Sequence, residues 1–331
     1  MVTQEDLAKK LGITRTTVAR ALNGSKNIKL ETKEKVLQLA KELGYEKNYL
    51  GSTLAIKEKK KIVAIIAKSI NEEYSKKIKA GLKDFEDEVK AYGVKIKILE
   101  VDISDRVGQI EILKKNLDKK IHGLILTPLD TEEILKVILP SINELHVVSI
   151  GKELSSEITY IDSRYTKSGK IAANIMSNIA VKNGKILVID GGDDLMSSKK
   201  YLKGFTTKLD EIQKSYIGPV KIESLLDNKE RVLDYLSNDI EGIYINRYAP
   251  EIIEYLGEVK KDNYKFVTNG FNEKIRGLLE SNKVIATVSE DFYNQGYTAG
   301  KRIFELLYKT DIKRSQRFQT KIDIIFRESL D

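Results

Sequence analysis

From Ile62 onward the chain alternates short apolar runs with helix-length amphipathic stretches, and this alternation constrains its fold more than any other feature. The runs are IVAIIA (62–67), VKIKILEV (94–101), GLILTP (123–128), HVVSIG (146–151), ITYID (158–162), KILVIDGG (185–192), VKIESLL (220–226), GIYINR (242–247), KFVTNG (265–270) and VIATVSED (284–291). Continuous apolar strands with helices between them build parallel sheets covered on both faces. Some 270 residues of this pattern exceed one comfortable sheet, so two lobes are expected. Ligands of such sheets bind beyond the carboxyl ends of the strands, which makes the residue after each run the one to inspect.

The first fifth of the chain differs in charge. Met1 to Lys61 hold 14 Lys and Arg against 7 Asp and Glu, a net of +7, and the other 270 residues hold 43 against 42. A basic module on a neutral body is the charge footprint of nucleic-acid binding, although a solvated lysine-rich surface has the same count. Within it, Thr3 and Asp6 form a capping-box pair before Leu7, Ala8 and Leu11, and Gly12 ends that helix. Thr14 can cap a second helix, Arg15 to Leu22, that puts Val18, Ala21 and Leu22 inward and ends at Asn23-Gly24. A third helix, roughly Glu31 to Leu43, carries Val36, Leu37, Leu39, Ala40 and Leu43 at helical spacing and closes on Gly44.

The spacing Ala8, Gly12, Val18 suits a helix-turn-helix: a small residue at the crossing, a glycine in the turn and a branched plug. The second helix must then turn Arg15, Thr16, Thr17, Ala19 and Arg20 outward. Such a helix enters the DNA major groove. There an arginine can grip guanine O6 and N7 with two hydrogen bonds, worth about 1–3 kcal/mol of base discrimination.

The stretches EDLAKKLGITRTTVARALNG, LETKEKVLQLAKELGY and NYLGSTLA resemble the headpiece of the LacI family of sugar-responsive bacterial repressors. The resemblance implies that Arg15, Thr16 and Arg20 read bases. It also implies that Thr3, Thr14, Thr17, Asn23, Lys26 and Thr32 hold phosphates or flank the operator, with Tyr45 in the same interface. A hinge helix should follow, with Leu54 wedged into the minor groove. Here the chain departs from the family: Tyr-x-Pro-Asn becomes Tyr45-Glu46-Lys47-Asn48, and Gly51 replaces an alanine. Glycine costs a helix about 0.5–1 kcal/mol relative to alanine, so this hinge is expected to form only on DNA. The run Lys57 to Lys61 reads equally as a phosphate-contacting or a plainly solvated linker.

The body resembles the same family's regulatory domain, which implies an α/β fold of two lobes like the periplasmic sugar-binding proteins of the ribose-binding type. The expected organisation is a helix-turn-helix domain (1–46), a hinge and linker (47–61) and an effector domain (62–331). Lobe 1 takes about 62–160 plus 292–318, lobe 2 about 161–289 plus 319–331, and the chain crosses between them near Ile161, Glu290 and Gln319. The resemblance places Asn71, Tyr74, Asp130, Lys199, Asn246, Phe271, Asn272 and Glu290 around a small-molecule effector. Carboxylates, amides and aromatic faces suit a sugar ring, yet Asp, Asn and Glu after strands are equally ordinary helix caps. Lys199, Arg247 and Asn272 stand where family members often carry an arginine and two aspartates. This excess of base over acid points to a sugar acid or sugar phosphate, unless Arg247 merely pairs with a neighbouring acid.

The implied partners are a palindromic double-stranded operator, the effector and a second copy of the chain, since two recognition helices on two half-sites double the contacts that specify a site. No cofactor or metal is expected: the chain has no cysteine, and His122 and His146 are spaced unlike a helical ligand pair. No run of 18 apolar residues and no hydrophobic leader occur, so a cytoplasmic protein without membrane contact is expected. Two rivals remain at this stage. An enzyme is disfavoured by the absence of P-loop, GxSxG and HExxH motifs, and a solute receptor by the basic head.

Overall fold

Thr3 opens the first helix as expected. Its hydroxyl accepts the Asp6 N–H at 3.2 Å, and the Asp6 carboxylate accepts the Thr3 N–H at 2.9 Å, which satisfies donors that the first turn leaves free. Helix α1 runs Gln4–Leu11 and ends at Gly12, whose φ of 63° lies in the left-handed region that glycine enters without penalty. Helix α2 spans Arg15–Leu22 and α3 spans Leu30–Glu42. Leu7, Ala8, Val18, Ala21, Val36 and Ala40 form their shared core. Leu37 corrects the sequence reading, for it is 44% exposed. A helix turns 100° per residue, and Val36, Leu39, Ala40 and Leu43 already fill the side that meets α1 and α2.

A computed structural model describes residues 3–22, 28–43, 60–68, 72–179, 184–192, 195–223, 229–236, 239–259, 264–309 and 312–330. The expectations for Asn23, Lys26, Tyr45, Gly51, Leu54 and Asn71 lie outside the described residues.

The body holds two six-stranded sheets. The first is built from β1 (Lys61–Lys68), β2 (Lys95–Asp102), β3 (Gly123–Leu126), β4 (His146–Ile150), β5 (Thr159–Asp162) and β11 (Arg317–Gln319), in the order β11-β5-β4-β3-β1-β2, all parallel. The second holds β6 (Lys185–Asp190), β7 (Tyr216–Lys221), β8 (Ile240–Ile245), β9 (Lys265–Asn269), β10 (Val284–Glu290) and β12 (Ile322–Phe326), in the order β12-β10-β9-β8-β6-β7. Helices α4 (Glu72–Glu88) and α12 (Phe292–Tyr308) cover one face of the first sheet, and α5 (Arg106–Leu117) and α6 (Thr131–Ile138) the other. The second sheet lies between α7 (Tyr165–Ile179) with α8 (Met196–Glu211) and α9 (Lys229–Tyr235) with α10 (Ala249–Val259) and α11 (Glu273–Glu280). The chain passes from one sheet to the other at 163–164, at 291 and at 320–321.

Three strands depart from the sequence reading. β12 pairs antiparallel with β10, because the short link from β11 leaves no room for the helical return that a parallel strand requires. β11 has only three residues, too few to show a pattern. β7 lies earlier than expected and contains Pro219, which a sheet tolerates there because β7 is an edge strand.

Each lobe has one helix pair in backbone contact through a glycine on both partners. A Cβ on Gly169 of α7 would stand 2.1 Å from the Tyr201 carbonyl oxygen, and one on Gly204 of α8 would stand 2.0 Å from that of Thr166. Gly81 of α4 and Gly296 of α12 are in the same position, each 2.0 Å from the partner's Tyr293 or Ile78 carbonyl. A methyl group cannot enter without parting the helices, and overpacking of this kind costs about 1–3 kcal/mol. Gly204→Ala and Gly296→Ala should therefore lower the thermal midpoint by several degrees. Gly257→Ala, where a Cβ meets nothing within 4 Å, should raise it through helix propensity; thermal melts of the three variants check both signs.

Candidate functional site

On α2 the buried pair Val18 and Ala21 decides which side meets the core of the head, and Arg15, Thr16 and Arg20 face solvent. Thr17 is half-buried with its hydroxyl 2.8 Å from that of Thr14, which also accepts the Thr17 N–H at 3.2 Å. Thr14 thus caps α2 and Thr3 caps α1, while Thr32 sits half-buried in the first turn of α3. Helix starts of this kind present backbone N–H groups to an anion.

Between the two sheets, at the carboxyl ends of their strands, lies a cleft of about 730 Å³. The first lobe lines it with Tyr74, Arg106, Thr127 and Lys152, and the second with Ser197, Tyr201, Arg247, Tyr248, Asn269 and Asn272; Tyr165 and Phe292 stand where the chain crosses. Tyr74 meets Phe292 edge-on, with ring centres 4.9 Å apart, and burial holds its hydroxyl well above the usual tyrosine range. Tyr165 and Tyr201 also meet edge-on, at 5.3 Å. Arg247 lies over the Tyr201 ring at 5.2 Å, its Nε donating to Ser198 Oγ at 3.0 Å and its Nη2 to Ser197 Oγ at 2.8 Å.

Of the expected effector residues, Tyr74 and Asn272 line the cleft, and Asn272 also caps α11 by accepting the Ile275 N–H at 2.9 Å. Four others occupy different positions. Asp130 is the cap of α6, accepting the Glu132 and Glu133 N–H groups at 3.1 Å each. Asn246 is fully buried and joins two strand ends, accepting the Gly191 N–H at 2.8 Å and donating to Asp190 at 3.2 Å. Phe271 packs on the second lobe's core, with Lys77 Nζ of α4 at 5.4 Å from its ring. Lys199 is exposed on α8, where Ser197 and Tyr201, four residues apart, share the cleft side and Lys199 falls opposite. The sequence reading missed Arg106, Lys152, Tyr165, Tyr201 and Asn269; a spacing of four from Ser197 is the signal for Tyr201, whereas Arg106 and Lys152 carried none.

Glu290, at the carboxyl end of β10, is 2% exposed. Its Oε2 accepts the Tyr201 hydroxyl, and its Oε1 has no hydrogen bond among the described residues. Burial pushes its carboxyl up to about 7, against the lowering pull of the Tyr201 hydroxyl and of Arg247. Tyr201 thus meets this acid through its hydroxyl and Arg247 through the face of its ring.

The three crossings are tied together by polar contacts. Ser163 donates to Gln295 at 3.3 Å, Gln295 to Thr320 at 3.4 Å, and Arg164 to the Thr320 carbonyl at 3.5 Å. Asp162 accepts from the Arg164 N–H at 3.0 Å and from Arg317 at 2.6 Å. Burial opposes its ionised form, yet these donors hold its carboxyl below the usual aspartate range.

A carboxyl raised from 4.5 to about 7 binds its proton more tightly in the folded chain than in the unfolded one. Its contribution is fully present below pH 4.5 and is lost as pH rises through 7, on the order of 2–4 kcal/mol in all. Glu290→Gln should therefore flatten the fall in thermal midpoint between pH 5 and pH 8, and exceed the parent's midpoint at pH 8. Paired melts across that range read the difference directly.

Comparison with known proteins agrees with this geometry at both ends of the chain. Residues 3–48 match the family model of bacterial regulatory proteins, lacI family, and residues 63–310 match that of the periplasmic binding protein domain. HTH-type transcriptional regulator RegA of Clostridium saccharobutylicum is 24% identical over 337 residues, 98% of each chain. Catabolite control protein A of Staphylococcus aureus is 27% identical over 211 residues, so the chain spans 62% of the length of that relative and 63% of its own. Among solved structures, a putative LacI transcriptional regulator from Bacteroides fragilis superimposes with a TM-score of 0.68 at 14% identity, covering 82% of this chain and 98% of that one. GanP, a glucose-galactose binding protein from Geobacillus stearothermophilus, superimposes with a TM-score of 0.66 at 16% identity, covering 82% and 99%. No helix among the described residues is long and apolar enough to cross a membrane. With a helix-turn-helix head whose second helix turns two arginines outward and a two-sheet body closing on a polar cleft, this chain belongs to the lacI family of bacterial regulatory proteins, its body a periplasmic binding protein domain.

Proposed function

We propose that the chain is a cytoplasmic, homodimeric transcriptional repressor whose grip on a palindromic operator is set by a carbohydrate-type effector, and that it catalyses no reaction. The observation that carries this reading is the outward side of α2, where Arg15, Thr16 and Arg20 are exposed while Val18 and Ala21 are buried. A protruding helix so oriented fits the major groove, and two on one palindrome give the contact set that one short helix lacks. The functional division is a DNA-binding head (1–46), a hinge and linker (47–61) and an effector domain (62–331).

The effector lies in the cleft, where hydroxyls, amides and ring faces converge as a sugar requires. Its walls carry Arg106, Lys152, Arg247 and Lys274 against Glu73, Glu251 and Glu273, with Lys274 paired to Glu251 at 2.7 Å, and the excess of base favours an acidic or phosphorylated sugar. Tyr74 and Asn272 touch it, and the buried Glu290 acts on it through Tyr201. Occupancy closes the lobes about the three crossings, whose few residues absorb the dihedral change. The paired first lobes then shift and move the hinge segments apart or together.

Two measurements test this. In fluorescence anisotropy with a promoter fragment at low ionic strength, Arg15→Ala and Arg20→Ala should each weaken operator binding by roughly 5- to 150-fold, and removal of residues 1–61 should abolish it. Because coupling free energy is reciprocal, saturating operator must change the effector's affinity by the same factor as the effector changes the operator's. Undiminished DNA binding by both arginine variants would overturn the reading.

A further inference from the structure

Five non-glycine residues among those described take positive φ. Lys120, Gln213 and Asn282 follow the ends of α5, α8 and α11, where left-handed backbone is ordinary. The other two come before helices: Arg164, with φ 54°, stands at the first crossing before α7, where Asp162 accepts its N–H, and Tyr248 stands on the cleft wall before α10. The φ of Tyr248 is 53°, and its carbonyl accepts the Ile252 N–H at 3.0 Å to start α10. An aromatic residue gains nothing from this conformation, so its surroundings must impose it.

The constraint is visible on both sides of the residue. Asn246 is fixed by Gly191 and Asp190, Arg247 is bound to Ser197 and Ser198, and Ala249 is buried. The chain can turn into α10 only by way of residue 248. The resulting backbone leaves the Tyr248 ring 39% exposed and on the cleft wall, next to Pro250. Strained positions held this firmly collect at ligand clamps.

We propose that Tyr248 is the aromatic platform by which the second lobe covers the ring of the effector. The proposal rests on the reading above that the cleft takes a carbohydrate-type molecule. Tyr74, the aromatic implied by family resemblance, is already packed edge-on against Phe292 and belongs to the first lobe's core. Tyr248 stands on the opposite lobe, so its ring approaches the ligand as the lobes close. A sugar ring presents C–H groups on one face, and a half-exposed tyrosine covers such a face with little loss of rotamer entropy.

The test uses the full chain and a panel of D-ribose, D-glucose, D-galactose, D-gluconate and D-glucose 6-phosphate at millimolar concentration, read by thermal shift and then by calorimetry on whichever member binds. Tyr248→Gly should weaken that binding roughly tenfold or more, with Tyr248→Phe within about threefold of the parent. Without ligand, Tyr248→Gly should melt at the parent's temperature or above, because glycine enters positive φ without penalty. A tyrosine that only braced the fold would lower both the unliganded midpoint and the affinity, and that result overturns the proposal, as does parental affinity in Tyr248→Gly. If no panel member shifts the parent itself, the carbohydrate reading fails and takes this proposal with it.

Discussion

A parallel strand can be followed by another only after the chain has returned across the sheet, and this requirement arranges the whole body. It places the carboxyl end of every parallel strand on one side, where the chain must leave the apolar layer. The buried polar residues gather there: Thr127 after β3, Asp162 at the end of β5, Asn246 after β8, Asn269 at the end of β9 and Glu290 at the end of β10. Each has to find partners inside the protein, because an unpaired buried polar group costs roughly 1–3 kcal/mol. The partners they find lie on neighbouring strands and at the starts of helices, as in Thr127 with the Ala67 N–H, Asn246 with Gly191, and Asn269 with Ser168, which turns a set of chain ends into a polar surface of fixed geometry facing the other lobe.

Glu290 is the member of that set with incomplete partnership. Tyr201 donates to one of its oxygens, burial is the main cause that raises its carboxyl, and its negative charge in turn raises the hydroxyls of Tyr165 and Tyr244. Such an environment favours the neutral acid, which can donate a hydrogen bond where a carboxylate only accepts. The proton state of one buried side chain therefore decides whether the Tyr201 side of the cleft is anchored to an anion. Arg247 lies over the face of that same ring, whose hydroxyl meets the acid.

Much of this was legible in the sequence, for identifiable reasons. Helix α2 was readable because Gly12 breaks the chain before it, Thr14 caps its start and its inward residues repeat at helical spacing. The strands were readable wherever they are buried on both faces, as in β1 with its six buried residues between exposed ends. Legibility failed where burial is one-sided or the strand is short, as in β7 and β11. It also failed at the cleft, because a residue's distance from a strand end does not reveal its direction. Asp130 and Lys199 sit one helix turn or less from lining residues yet point elsewhere, since capping claims the first and helical phase turns the second away. Arg247 was visible only as a departure from a pattern, and its role depends on Ser197, Ser198 and Tyr201, which lie some fifty residues away in sequence.

The head poses the opposite problem. Its core comprises Leu7, Ala8, Val18, Ala21, Val36 and Ala40, of which three are alanines. The remaining three are joined by the partly buried Leu11, Ile13, Leu22, Ile28, Leu39 and Leu43, still a small apolar core to set against the ordering entropy of some forty residues. A domain of this size is marginal alone. Anything that binds only its folded form then stabilises it by mass action, so contact with DNA and ordering of the head are linked in free energy. A regulator built this way need not transmit a rigid displacement from cleft to groove. In the proposed dimer, changing the distance between two marginal heads is enough, because a pair held too far apart loses both the second set of contacts and the stabilisation those contacts give.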